Sequence, residues 1–229
     1  MQREMLRYSV KQALPVMAGY FLVSIAFGLV ALDQGVNLFV AQLMNLTIYS
    51  GTLEFIGLDV LNTPVSYLSV FMVALFVNVR HLFYGLAFVD KYKPFRKMRW
   101  FAIFALTDET FSLLSTITIP KQFDENTVVN LISALNLLSW VAGTFIGVIL
   151  GYILPFETTG VSFAMIALFV VLTIDQVKKN TRYIHIVGSA LIAVICAFSI
   201  PKDYYLLVSL LLVSVFLIAG RRWIEGENR

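Results

Sequence analysis

The chain has 229 residues, of which 59% are hydrophobic and only 14% charged, and its mean hydropathy is +0.83. Soluble domains carry about 45–50% apolar and about 25% charged residues, so this composition excludes a disordered chain and a disulfide-built secreted domain and argues against a soluble enzyme. Uncharged runs near the roughly 20 residues that a bilayer span needs recur along the length, which predicts an all-α polytopic membrane protein with one integral membrane domain over 1–229. The net charge of +3 reads as Lys and Arg facing the cytoplasm rather than as a nucleic-acid surface.

The apolar segments are 12–32, 36–60, 64–89, 100–119, 128–154, 160–175, 183–200 and 204–220. The first follows Arg3, Arg7 and Lys11 and reads as a retained membrane helix, since it is long and no small-residue cleavage site follows it. Pro64, Pro120, Pro155 and Pro201 stand at segment edges, where a missing N–H costs least. The runs are continuous and do not alternate at period two, which implies helices and not a barrel. The one cysteine, Cys196, excludes an internal disulfide, and no metal-ligand cluster accompanies it. P-loop, zinc-protease, nucleophile-elbow and dinucleotide signatures are missing from the sequence, so no catalytic residue, cofactor or metal is expected.

Fourteen of the seventeen basic residues fall in four regions: the N-terminus, the loop 90–99, the loop 176–182 and the C-terminal tail. The positive-inside rule places these in the cytoplasm, with both termini inside and the Lys121 and Lys202 loops outside. Crossing parity then requires two segments to enter and leave by one face. The candidates are 36–60, whose middle carries Tyr49-Ser50-Gly51-Thr52 and Glu54, and the short 160–175. The result is about six spanning helices and two re-entrant segments, in an inverted repeat with halves 12–119 and 128–220. Eight simple spans are the alternative.

Charges inside apolar runs cost roughly 2.5–3.5 kcal/mol each at mid-bilayer, so Glu54, Arg80, His81, Asp108 and Glu109 call for partners. Arg80 and Glu109 are equidistant from the middle of the 90–99 loop, as are His81 and Asp108. At 1.5 Å per residue all four lie roughly 12–15 Å from the cytoplasmic face. The Arg80–His81 and Asp108–Glu109 pairs should therefore meet, either as a structural tie or as a gating and proton-coupling group. Asn78 adds an amide beside them. Glu54, next to the Ser50-Gly51-Thr52 break, is suited to a substrate ammonium or a proton. Gly143, Gly147 and Gly151 form a small-residue stripe for close helix packing. Trp140 lies in the same helix between polar neighbours, while Trp100 and Trp223 read as interface anchors.

These motifs resemble the AzlC family, the larger subunit of two-component branched-chain amino acid exporters. The resemblance rests on Tyr49-Ser50-Gly51, Asn78-Val79-Arg80-His81 with Tyr84-Gly85, Thr107-Asp108-Glu109, and Trp140 with Gly143-Thr144, Gly147 and Gly151. Pro15, Gly19, Phe27-Gly28, Pro155, Gly160 and Phe163-Ala164 match as well. The family usually has glutamine where this chain has Glu54, which bears on substrate preference. The resemblance implies export of leucine, isoleucine, valine or similar amino acids, with a small AzlD-type hydrophobic membrane subunit as partner. For the amino acid substrate that the resemblance implies, contacts fall to Tyr49, Ser50, Gly51, Thr52, Glu54 and Asn78, and coupling or gating to Arg80, His81, Asp108 and Glu109. A channel-like or assembly subunit without its own substrate site is the other reading.

Overall fold

The computed structural model describes residues 2–62, 64, 66–95, 98–153, 170, 174, 183–200, 208, 209, 211–213, 215, 216 and 220. The chain forms two compact units, Met1–Met165 and Ile166–Arg229. All described elements are α-helices, and three of them are long and apolar enough to cross a membrane. The expected segments 160–175 and 204–220 fall largely outside the described residues. In the second unit Tyr183–Ser199 is helical, Cys196 is buried on it, and Gly188 lies so close to Phe216 that a Cβ would come within 2.5 Å of the ring.

The frame of the first unit is a pair of helices, α1 (Gln2–Asp33) and α7 (Glu125–Ile153). At 1.5 Å per residue they are about 48 and 44 Å long. α1 begins at Gln2, ten residues before the apolar run, and carries Pro15 within it. The stripe on α7 lets the backbones touch. A Cβ on Gly143 would come within 2.4 Å of the Phe21 carbonyl oxygen, one on Gly147 within 2.2 Å of that of Ile25, and one on Gly28 within 2.4 Å of that of Thr144. Gly151 lies against Leu29 and Leu32, and Ser139 Oγ donates to the Met17 carbonyl at 2.7 Å. Residue numbers rise together along both helices, so α1 and α7 run parallel. Much of the expected repeat half 128–220 lies outside the described residues.

The segment 36–60 is broken, as its composition suggests. α1 ends in a turn with Gly35 at φ +78° and the Val36 N–H on the Ala31 carbonyl at 2.8 Å. α2 (Leu38–Thr47) starts on an Asn37 cap and stops before Tyr49, and α3 (Gly51–Asn62) returns. Asn62 Nδ2 donates to the Gln34 carbonyl at 3.0 Å, and Gln34 Nε2 donates to Asp59 at 3.2 Å. The hairpin thus leaves and re-joins the same end of α1.

α4 (Tyr67–Tyr92) runs back alongside, antiparallel to α1, and its Tyr92 joins Ala13, Phe95, Val128 and Ile132 in the core at the N-terminal end. The next segment departs from expectation. The stretch 100–119 is not one span but two short helices, α5 (Arg99–Phe104) and α6 (Asp108–Thr116), with a break at Ala105–Thr107. Thr107 at the break meets Tyr20 in the middle of α1, whereas the Thr118 carbonyl accepts from Tyr8 at 2.9 Å near the start of α1. Lys91 Nζ reaches the Leu114 carbonyl at 3.0 Å and Glu125 at 3.6 Å. The segment therefore enters from the N-terminal end of α1 and returns to it. This places the Thr118–Glu125 connection at the end that also holds Tyr8 and Lys91, so the Lys121 loop does not lie opposite them as the charge count predicted. One lysine beside Asp124 and Glu125 is a weak charge signal, and the parallel packing of α7 on α1 overrides it.

Two hairpin-then-span units of opposite direction result: α2–α3 with α4, and α5–α6 with α7. Their arms, about 9–18 Å long at 1.5 Å per residue, each reach about half of a hydrocarbon core of about 30 Å.

Candidate functional site at the meeting of two hairpin tips

Both tips arrive at mid-depth, beside Tyr20, Arg80 and Trp140 near the centres of the three long helices. At the first tip, the Ile48 N–H closes the last turn of α2 on the Met44 carbonyl, and Tyr49 adopts φ +43°. Left-handed backbone is uncommon for an aromatic residue and concentrates at functional sites. The Glu54 N–H returns to the Ser50 carbonyl at 2.8 Å, which leaves the N–H groups of residues 51–53 without intrahelical partners. Ser50 Oγ donates to Asn78 Oδ1 of α4 at 3.0 Å.

Glu54 is fully buried. Trp140 Nε1 shares its proton between Glu54 Oε2 at 3.0 Å and Asn45 Oδ1 at 3.1 Å. Asn45 Nδ2 donates to Gln42 at 3.2 Å, and Gln42 Nε2 donates to the Val141 carbonyl at 3.1 Å. These bonds sew α2 and α3 to α7. Gly51 permits this arrangement, since a Cβ there would stand 3.0 Å from the indole. Thr52, in the same first turn, is partly exposed.

At the second tip Thr107 caps α6, and its hydroxyl bonds Thr110 Oγ1 at 2.9 Å and Tyr20. Tyr20 OH donates to Glu109 Oε2 at 2.8 Å, and Asn136 Nδ2 donates to Thr110 Oγ1 at 3.0 Å. Asp108 forms an ion pair with Arg80 of α4. Of the four ionisable residues expected to meet, Arg80 and Asp108 are brought together. Glu109 turns instead to Tyr20, and the His81 ring contacts Tyr84 with centroids 5.8 Å apart. Successive residues on a helix point about 100° apart, so with Asp108 on Arg80 the Glu109 side chain faces Tyr20.

Aromatic side chains fill the space between the tips. Tyr49 stacks on Phe104 of the other hairpin at 5.8 Å, and Tyr20 packs edge-on to Tyr49 and Trp140 at 6.4 and 5.5 Å. The assembly offers free helix N–H groups, an acidic group, amides and hydroxyls within an aromatic wall, the set of groups that a zwitterion with an apolar side chain needs. Among the described residues no group of three or more His, Cys, Asp or Glu could hold a metal ion.

Sequence reasoning passed over Tyr20, Asn45 and Asn136. The available signal was a hydroxyl or amide inside an apolar run, which seeks an interhelical partner.

The AzlC protein family matches residues 15–154, a range that includes both hairpins and most of the three long helices. A membrane protein of Helicobacter pylori (strain J99), described as uncharacterized, is 34% identical over 210 residues, covering 92% of either chain. The branched-chain amino acid transport protein AzlC of Bacillus subtilis is 33% identical over 177 residues, 77% of this chain and 70% of its own. The inner membrane protein YgaZ of Escherichia coli is 27% identical over 147 residues, 62% of this chain and 59% of its own. No solved structure matches. With a family match over more than half its length and a one-third identical relative, this chain belongs to the AzlC family of membrane proteins.

Proposed function

We propose that this chain is the substrate-carrying subunit of a secondary transporter that exports branched-chain or similar apolar amino acids across the bacterial cytoplasmic membrane, driven by the proton-motive force. The observation that carries this reading is the meeting, at mid-depth, of two helix-break tips that enter from opposite ends. Broken helices that face each other across the middle of the membrane are how transporters expose one site alternately to two sides. The name of the Bacillus subtilis relative supports the substrate class.

In this reading the free N–H groups after Tyr49-Ser50 take the substrate carboxylate, with Gly51 and Thr52 in the same turn. Glu54 and Asn78 take the ammonium, and the aromatic and aliphatic wall takes the side chain. Substrate enters when the Tyr49–Tyr20–Trp140 contacts part. Arg80, His81, Asp108 and Glu109 gate the second hairpin. An apolar pocket gains only about 1–3 kcal/mol per methylene, so several branched-chain amino acids share the route.

With the Lys121 connection beside the N-terminus, charge parity no longer requires 160–175 to re-enter. Within the first unit, 36–60 and 100–119 are the re-entrant pair, and the N-terminus, the 90–99 loop and the Lys121 connection share the cytoplasmic face, with the C-terminus cytoplasmic as well. The partner is a small AzlD-type hydrophobic subunit. The test is export: cells that express this chain with its companion are loaded with a leucine- or valine-containing dipeptide. Internal leucine or valine should fall faster than in cells with empty membranes. Equal retention with both proteins verified in the membrane would refute the reading.

A further inference from the structure

The two hairpins carry three carboxyl groups to the middle of the first unit, and only one of them lacks a charged or solvent-facing surrounding among the described residues. Asp108 has Arg80, with 38% of the arginine and 23% of the aspartate side chain exposed. Glu109 has the Tyr20 hydroxyl and is partly exposed. Glu54 is 0% exposed, its Oε2 accepts from Trp140, the carboxyl also lies against the Ser50 backbone N–H, and its Oε1 makes no hydrogen bond.

No cation faces Glu54 among the described residues. α2 presents Asn45, and the connector presents Ser50 and the neutral phenol of Tyr49. α7 presents Trp140, and α1 places the Tyr20 phenol against Trp140. α4 reaches the tip through Asn78, while its Arg80 is engaged by Asp108 and its His81 lies against Tyr84. α6 contributes Glu109 only on the far side of Tyr20. A bare carboxylate sealed in such a place is strongly unfavourable. The group must therefore hold a proton or a cation at all times.

We propose that Glu54 is an exchange site at which a proton and the substrate ammonium alternate. The proposal rests on the amino acid reading above and deepens it by naming the coupling group. In the empty state the carboxyl is neutral and accepts from Trp140. When the ammonium of an apolar amino acid arrives, the Glu54 O–H bond breaks, its electron pair stays on the carboxylate, and the proton leaves to the water on the side from which the substrate came. The ammonium then pairs with the carboxylate. Release on the other side reverses the step with a proton taken up there. Glu54 is never left without a proton or an ammonium, the substrate carboxylate being held by the free helix N–H groups, and each amino acid carried one way is matched by one proton carried the other. Trp140 is the positioning residue, since its N–H holds Oε2 in both states and leaves Oε1 for the proton or the ammonium.

The experiment uses the full chain reconstituted in lipid nanodiscs with its small companion subunit, every tryptophan but Trp140 changed to phenylalanine (Trp100 and Trp223 in this chain), so that Trp140 emission reports on Glu54. Emission should show a one-proton transition with pH that is lost in Glu54→Gln, which keeps the acceptor for Trp140. L-leucine should shift the transition to lower pH, because it binds the deprotonated form. Its apparent Kd should weaken about tenfold per pH unit below the transition, and that pH dependence should vanish in Glu54→Gln. In the unmodified protein, L-leucine added in weak buffer below the transition should release close to one proton per molecule bound, a measurement that needs no variant. A transition that persists in Glu54→Gln, or L-leucine binding without proton release or pH dependence, would overturn the exchange. Failure of L-leucine to bind at any pH would instead overturn the amino acid reading, and the Trp140 titration would still decide whether Glu54 carries a proton.

Discussion

The α2–α3 and α5–α6 hairpins each present an acidic residue in the first turn of their second arm to the middle of the three long helices, and each ties a tip hydroxyl to an asparagine of the following span. Ser50 bonds Asn78, and Asn136 bonds Thr110. They differ in how the acid is matched. At the first tip Trp140 and Gly51 close over Glu54 with neutral groups alone, whereas at the second tip Asp108 is partly exposed and paired with Arg80. A sealed acid without a countercharge must change its proton or its ligand to change state. A paired acid can instead make or break a contact between two elements. The same scaffold therefore supports a chemical switch on one side and a mechanical tie on the other.

The comparison breaks most completely if the hairpins do not enter from opposite ends. In a Cys196→Ser background, single cysteines at Lys121 and Lys11 should react with an impermeant thiol reagent from one face only. Cysteines at Gln34 and Asp59 should react only from the other. Labelling of Lys121 together with Asp59 would return 100–119 to a full crossing.

The tie at the second tip should show as stability. Arg80→Met leaves Asp108 without its cation, and removing one partner of a sealed pair costs about 3–5 kcal/mol. The partial exposure of this pair lowers the expectation to about 2–3 kcal/mol. Thermal unfolding of the purified protein should register the loss, and Arg80→Met with Asp108→Asn should recover most of it. No recovery in the double variant would mean that Arg80 acts through contacts other than Asp108.

Smaller effects separate the tips. Trp140→Phe leaves acceptors on Glu54 and Asn45 unfilled, at about 1–3 kcal/mol for a buried unsatisfied group. Tyr20→Phe removes the hydroxyl from Thr107 and Glu109, at about 0.5–1.5 kcal/mol. Hydrogen exchange should rise over α2–α3 in the first variant and over α5–α6 in the second. Equal loosening of both hairpins in both variants would show that the aromatic cluster, and not the polar bonds, sets their positions.

Part of this arrangement was legible in the residues. The break in 36–60 follows from Ser50-Gly51 and neighbouring hydroxyls that suit a lipid-facing helix poorly. Matched depth and the cost of an unpaired charge bring Arg80–His81 to the level of Asp108–Glu109, but they set Arg80 level with Glu109, and the contact that forms is Arg80 with Asp108. The break in 100–119 was harder to see, because Ala105-Leu106 contains neither glycine nor proline. Its signature is Thr107 followed by Asp108 and Glu109, a cap with acids in the first turn, which marks a helix start in the middle of an apparent span.

Composition and the continuity of apolar runs by themselves determined that this is a helical membrane protein with charges to be matched near mid-depth. Those properties depend on each residue's own transfer energy, which is the same in any fold. The direction of α7, the side on which the Lys121 connection lies, the turning of Glu109 to Tyr20 and the sealing of Glu54 by Trp140 were decided by tertiary packing alone. Each depends on Gly28, Gly143 and Gly147 letting two distant helices touch in parallel, and no local pattern encodes which helix a small-residue stripe will meet.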